Sequence, residues 1–135
     1  MSQLDLFSLE GRVALVPGGG GGIGSALAEA LAGAGANVAV AGRTAETCEA
    51  AVERIRAAGS DGLAITADVT DDADCDRMVA QTIERFGGID ILINAVGGGA
   101  GKVLHPAEAY PRSDWDWIME LNVRSTVVPT QAVAP

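Results

Sequence analysis

At 135 residues the chain is long enough for one domain with its own core, and 48% of it is apolar with few aromatics. A net charge of −9 and the lack of any lysine or arginine cluster argue against nucleic acid and anionic membrane surfaces as partners. Cys48 and Cys75 form no CxxC pair, and His105 is the only imidazole, so a reduced, cytoplasmic setting without a metal site is expected.

Met1 to Gly11 reads as a polar lead-in; with Asp5 and Glu10 and no basic flank it is not a signal peptide. Val13 to Val16 is a short strand-forming run, and Gly18 to Gly22 punctuate it. Ile23, Leu27, Ala30 and Leu31 then recur at helical spacing, which predicts the inward face of a helix. Gly35 falls just past the last periodic residue, where a left-handed cap is expected. Val38 to Ala41 reads as a second strand, so the whole is a βαβ unit. Residues 13 to 42 carry one charge, Glu29, yet glycine density, Pro17 and the change of period exclude a membrane span.

A glycine-rich turn from strand to helix has a chemical use. The first amides of a helix lack intrahelical partners and carry the positive end of its dipole, so they attract a phosphate. Glycines let the backbone approach that phosphate closely. A flexible linker would not lie between a buried strand and an amphipathic helix. No Gly-Lys-Ser/Thr follows, which excludes a P-loop.

After Gly42-Arg43-Thr44, Cys48, Val52 and Ile55 predict the inner face of a second helix that closes at Gly59. Leu63 to Ala67 is a third strand, ending at Asp68-Val69. Thr70 is expected to cap a third helix, with Asp71, Asp72 and Asp74 complementing its dipole. Its apolar face is Cys75, Met78, Val79, Thr82, Ile83 and Phe86, and it ends at Gly87-Gly88. Ile89 to Asn94 is a near-continuous apolar strand of the kind buried on both faces. Gly97 to Arg112 reads as a loop. Ser113 is expected to cap a last helix with Trp115, Met119, Asn122 and Thr126 on one face, kinked or ended near Val128 by Pro129. Strands alternating with helices predict a parallel α/β sheet with right-handed crossovers.

The spacing Gly18-x-x-x-Gly22-x-Gly24 resembles the Thr-Gly-x-x-x-Gly-x-Gly motif of the short-chain dehydrogenases/reductases, with Pro17 in place of the threonine. Four further stretches fit the resemblance. Gly42-Arg43 lies roughly 20 residues past the glycine loop, where a dinucleotide fold reads the adenosine ribose. An arginine fork there pairs with a 2′-phosphate, and in the family this pattern goes with NADP rather than NAD. Asp68-Val69 matches the family's contact with adenine. Asn94-Ala95-Val96-Gly97 matches Asn-Asn-Ala-Gly at its first Asn and its Gly, with Ala95 and Val96 departing. Asn122, after Trp115-Asp116-Trp117, matches the helix asparagine that helps hold a water in the family's proton relay. His105 is given no role, and Asp114 and Asp116 read as dipole complement.

The resemblance implies a Rossmann-type, doubly wound parallel sheet, here a single NAD(P)-binding unit over residues 1–135 that stops after the fourth strand and the next helix. It assigns Gly18, Gly22, Ile23, Gly24, Arg43, Thr44, Asp68, Val69, Asn94, Ala95 and Gly97 to the cofactor and Asn122 to catalysis. It implies a complete protein that moves a hydride between NADP and a carbonyl or alcohol, as a homo-oligomer. The family's catalytic Ser and Tyr-x-x-x-Lys are missing: Tyr110 is the sole tyrosine, and the sole lysine, Lys102, precedes it. A non-catalytic dinucleotide-binding module and an inactive truncated product are the alternative readings.

Overall fold

A computed structural model describes residues 4–98 and 105–135 of the chain. Along it run β1 (Val13–Pro17), α1 (Gly22–Gly33), β2 (Asn37–Gly42), α2 (Ala45–Ala57), β3 (Gly62–Thr66), α3 (Asp72–Phe86), β4 (Ile91–Leu92), α4 (Arg112–Met119) and α5 (Ser125–Val133). The strands form one sheet in the order β3-β2-β1-β4, and every pairing is parallel. All five residues of β1 are buried. The pleat sends Ala14 and Val16 to one face and Leu15 to the other. On the first face α1 and α2 bring Ala28, Ala32, Cys48, Val52 and Ile55. On the second, α3 and α5 bring Cys75, Met78 and Val128. The sheet is therefore wound on both sides, as expected of a Rossmann-type fold.

The inner face of α1 differs from the predicted one. Gly24, Ala28 and Ala32 are buried, whereas Ile23 is 78% and Leu27 37% exposed. Small residues let the start of this helix lie close on the sheet and on its own entry loop; Ile23 and Leu27 are turned outward, while Leu31 packs partly buried against the core as predicted. Gly35 takes the left-handed conformation foreseen for it, φ +104°, and a Cβ there would meet Glu10 at 2.9 Å.

The cap of α3 is Asp71 rather than Thr70: its carboxylate accepts from the Asp74 amide at 2.9 Å. Thr70 instead turns back to Asp68. Cys75, Met78 and Thr82 are buried as predicted, but Ile83 is exposed because the sheet does not reach its side of the helix.

β4 is shorter and wetter than its sequence predicts, since it is an edge strand with a neighbour on one side only. Its path still follows β1: the amides of Asp90, Ile93 and Ala95 donate to Val13, Leu15 and Pro17 at 2.8–3.0 Å. The Asp90 carboxylate in turn accepts from the Val13 amide at 2.8 Å.

The last helical stretch is not capped by Ser113; Pro111 precedes α4, and its carbonyl accepts from Asp114 and Trp115. Nor does Pro129 end it. α4 passes through a π turn, Glu120–Arg124, into α5, which continues through Pro129 to Val133. Proline removes one helical hydrogen bond and crowds the carbonyl four residues back, here that of Ser125. The wider turn just before that carbonyl leaves it room, so the irregularity falls ahead of the proline. The π turn also moves Asn122 off the predicted face. Trp115, Met119, Val123 and Val127 form the exposed apolar row instead.

Candidate functional site

In the order β3-β2-β1-β4, the chain leaves β1 to one side for β2 and β3 and to the other for β4, and a crevice opens beyond the carboxyl ends of the strands. A cleft of about 430 Å³ lies there. Each strand contributes the segment that leaves it: Gly18, Gly20 and Gly21 after β1, Gly42-Arg43-Thr44 after β2, residues 67–70 after β3, and residues 95–97 after β4. Trp117, Glu120 and Leu121 close the remaining side.

The glycine loop is shaped by close approach. Gly18 has φ +82°, and a Cβ on it would lie 2.5 Å from the Ala95 carbonyl carbon. A Cβ on Gly24 would stand 2.0 Å from the Gly18 carbonyl oxygen. Gly22 is different: a Cβ there would meet nothing within 4 Å. The loop is tied on both sides despite Pro17, because Gly18 donates to Ala41 O at 2.7 Å and Ala95 donates to Pro17 O at 2.8 Å. Gly22, Ile23 and Gly24 form the first turn of α1, whose amides have no acceptor within the helix. The loop thus presents donors and open space, which fits a phosphate-bearing group.

Asp68 stands at the end of β3. The Thr70 amide, at 3.0 Å, and the Thr70 hydroxyl, at 2.7 Å, both donate to its Oδ1. These bonds, helped by the charge of Arg43, hold the Asp68 carboxyl below the usual carboxylate range against the opposing effects of burial and Asp74. The Asp68 amide donates to Asp74 at 2.7 Å and, with Arg77, lowers that carboxyl too. Arg43 lines the cleft and forms no ion pair with any described residue. Arg12, Arg54, Arg56, Arg77, Arg85 and Arg124, by contrast, all have carboxylate partners.

Of the residues singled out from sequence, Gly18, Arg43, Thr44, Asp68, Val69, Ala95 and Gly97 line this one cleft. Ile23 is exposed on α1 and Gly24 is buried under Gly18. Asn94 lies behind the cleft wall, where its Nδ2 donates to Thr130 Oγ1 at 3.1 Å and its Oδ1 is buried without a partner among the described residues. Asn122 is fully engaged: its amide group exchanges two bonds with the Gly98 backbone at 3.0 Å and donates to Ile118 O. His105 bonds Asp114 at 2.8 Å at the start of α4, and Lys102 lies outside the described residues. No group of acidic, cysteine and histidine side chains suited to a metal occurs among the described residues. Sequence reasoning missed Trp117, Glu120 and Leu121; their signal was a second helical spacing, 117-120-121, beside the apolar row.

A doubly wound parallel sheet with a glycine turn opening on its switch-point cleft defines a Rossmann-type α/β protein. The chain belongs to the short chain dehydrogenase family, whose model matches residues 12–135. That family uses a nicotinamide cofactor. The chain is 45% identical to gluconate 5-dehydrogenase of Gluconobacter oxydans, over 99% of its own length and 51% of that protein. It is 41% identical to the rhamnolipids biosynthesis 3-oxoacyl-[acyl-carrier-protein] reductase of Pseudomonas aeruginosa, over 96% of the chain and 49% of the relative. Among solved structures, a hydroxysteroid dehydrogenase from Escherichia coli superposes with a TM-score of 0.87 at 34% identity, covering 97% of this chain and 54% of that one. An NAD+-bound xylitol dehydrogenase superposes equally well, TM-score 0.87 at 31% identity, over 93% and 47% of the two chains. The chain spans about half the length of the curated relatives it matches. No described helix is long and apolar enough to cross a membrane.

Proposed function

We propose that this chain is the cofactor-binding portion of an NADP-dependent oxidoreductase that interconverts a small-molecule carbonyl compound and its alcohol. The observation that carries the NADP reading is Arg43, a guanidinium in the cleft with no ion-pair partner among the described residues, preceded by Gly42 where a carboxylate would repel a phosphate. The dinucleotide itself supplies the hydride. The residues present bind and orient it: the glycine loop and the first turn of α1 take the pyrophosphate, and Arg43 with Thr44 takes the 2′-phosphate. The second oxygen of Asp68, Oδ2, receives the adenine amino group, Val69 covers the ring, and the backbone of Ala95 and Gly97 lines the path toward the nicotinamide. Asn122 supports that path by holding Gly98.

Calorimetric titration with NADP(H) and NAD(H) tests this reading. A charge-assisted contact is worth ~1.5–3 kcal/mol, roughly one to two decades of affinity, and Arg43→Ala should abolish that preference. Equal affinities, or no loss in the variant, would overturn it. No Tyr-x-x-x-Lys occurs within the 135 residues, so the chain by itself should bind the dinucleotide without turnover. A proton partner contributes about 10²–10⁴-fold to such a step. Carbonyl reduction by the purified chain, abolished in Tyr110→Phe, would contradict this.

A further inference from the structure

The π turn between α4 and α5 touches both sides of the cleft. Asn122 holds Gly98 on the β4 side. Two residues on, Arg124 reaches the β3 side: its Nε donates to Thr70 O at 2.8 Å. The same guanidinium lies 3.1 Å from Glu120, which lines the cleft, and 3.5 Å from Asp72 at the start of α3. Thr70 is the residue whose amide and hydroxyl fix Asp68 Oδ1. A bond to the Thr70 carbonyl therefore holds the residue whose amide and hydroxyl aim the Asp68 carboxylate. Asn122 and Arg124, two residues apart, do not share a face of the helix and so reach the two flanking loops. The π turn that carries both is of a kind that recurs at functional sites.

We propose that Arg124 is a positioning residue for the adenosine end of the bound dinucleotide, acting through Thr70 on Asp68. This rests on the cofactor reading given above. Arg124 need not touch the ligand: its guanidinium sets the loop after β3, and that loop presents Asp68 and Val69 to the cleft.

The test uses the full chain, with Trp117 in the cleft wall as the fluorescent reporter and two half-cofactors as probes. Adenosine 2′,5′-bisphosphate reports the adenosine end and nicotinamide mononucleotide the other. Arg124→Ala should weaken the first by about tenfold, the worth of one hydrogen bond to a charged group, and leave the second within about twofold. Arg124→Lys, which keeps a donor, should recover part of the loss and stands in if the alanine variant does not fold. In Asp68→Ala the further change Arg124→Ala should cost nothing more, because its target is gone. A general loss of structure would weaken both probes and add to the Asp68→Ala loss, and either result overturns the proposal. Recovery of binding in the double variant Glu120→Gln with Arg124→Ala would also overturn it, since Arg124 would then act only by cancelling a nearby charge. If the unmodified chain binds no adenosine probe, the cofactor reading falls and this one with it. If it binds but the losses add, only the role of Arg124 falls.

Discussion

Gly24 lies so close beneath the Gly18 carbonyl that a Cβ on it would stand 2.0 Å from that oxygen, whereas two residues earlier a Cβ on Gly22 would meet open space. Equal-looking glycines of one motif thus do different work. Gly24→Ala should destabilise the fold by about 1–3 kcal/mol, as overpacking does. Gly22→Ala should leave stability unchanged or slightly raised, because alanine is the better helix former, yet weaken nucleotide binding by filling the approach to the loop. Urea midpoints and nucleotide titration of both variants check the pair. Equal destabilisation by the two substitutions would contradict the geometry.

Stability should fall on the acid side through Asp68 and Asp74, whose carboxyls are both held below their ordinary values. A depressed carboxyl stabilises the fold above the unfolded value, about 3.9 for aspartate. That contribution is lost as the pH falls through the lower folded value. Urea midpoints should therefore be level above about pH 5 and drop below about pH 4. Asp74→Asn keeps an acceptor for the Asp68 amide but cannot ionise, so its acid-side drop should be shallower. An unchanged drop would show that Asp74 plays no part in it.

Cys75 should resist thiol reagents in the native state. It is fully buried, its thiol donates to Val69 O at 3.3 Å, and burial together with four nearby aspartates pushes its pKa up to about 11. Burial raises Cys48 in the same direction. Because the thiolate is the reactive form, a disulfide reagent at pH 8 should label neither cysteine until urea is added. The raised pKa also means that stability is complete below the unfolded value, near 8.5, and declines as the pH rises toward 11. Rapid native-state labelling at either position would refute this.

The purified chain should self-associate. β4 offers one unpaired edge, and Trp115, Met119, Val123 and Val127 form an exposed apolar row beside it in sequence order. Each large side chain left in water forgoes about 1.5–3 kcal/mol, against a total stability of roughly 5–15 kcal/mol. The net charge of −9 opposes contact between copies, so added salt should promote it. Light scattering at micromolar concentration, with and without salt, is the measurement. A compact monomer under both conditions would mean that these surfaces are covered in another way.

The strand–loop–helix unit around Gly18 to Gly24 was legible because glycine spacing carries its own geometry. Arg43, Asp68 and Gly97 were legible because each lies shortly after a strand and within a stretch that matches the family's motifs. The inner face of α1 was not. Period alone ranks Ile23 and Leu27 as core, and only contact with the sheet reveals that the tight approach needs Gly24, Ala28 and Ala32. Nor was the π turn legible, because no local preference announces it. The bond from Arg124 to Thr70 joins residues 54 positions apart, and neither side chain alone signals the other.

β1 sits between β2 and β4, and those two neighbours are reached by very different lengths of chain. β2 follows after one short helix, but the backbone of Asp90 that meets Val13 lies 77 residues away. Closing the longer loop costs about 1 kcal/mol more in chain entropy, with only a short two-residue ladder to offset it. Assembly should therefore run outward from β1 and β2, with β4 docking late and opening first. The Ile93 and Ala95 amides should then exchange with solvent before those of β2, and slower exchange at β4 would reverse that order. The wall of the cleft that leads from β4 would be the last part of the site to form and the first to loosen.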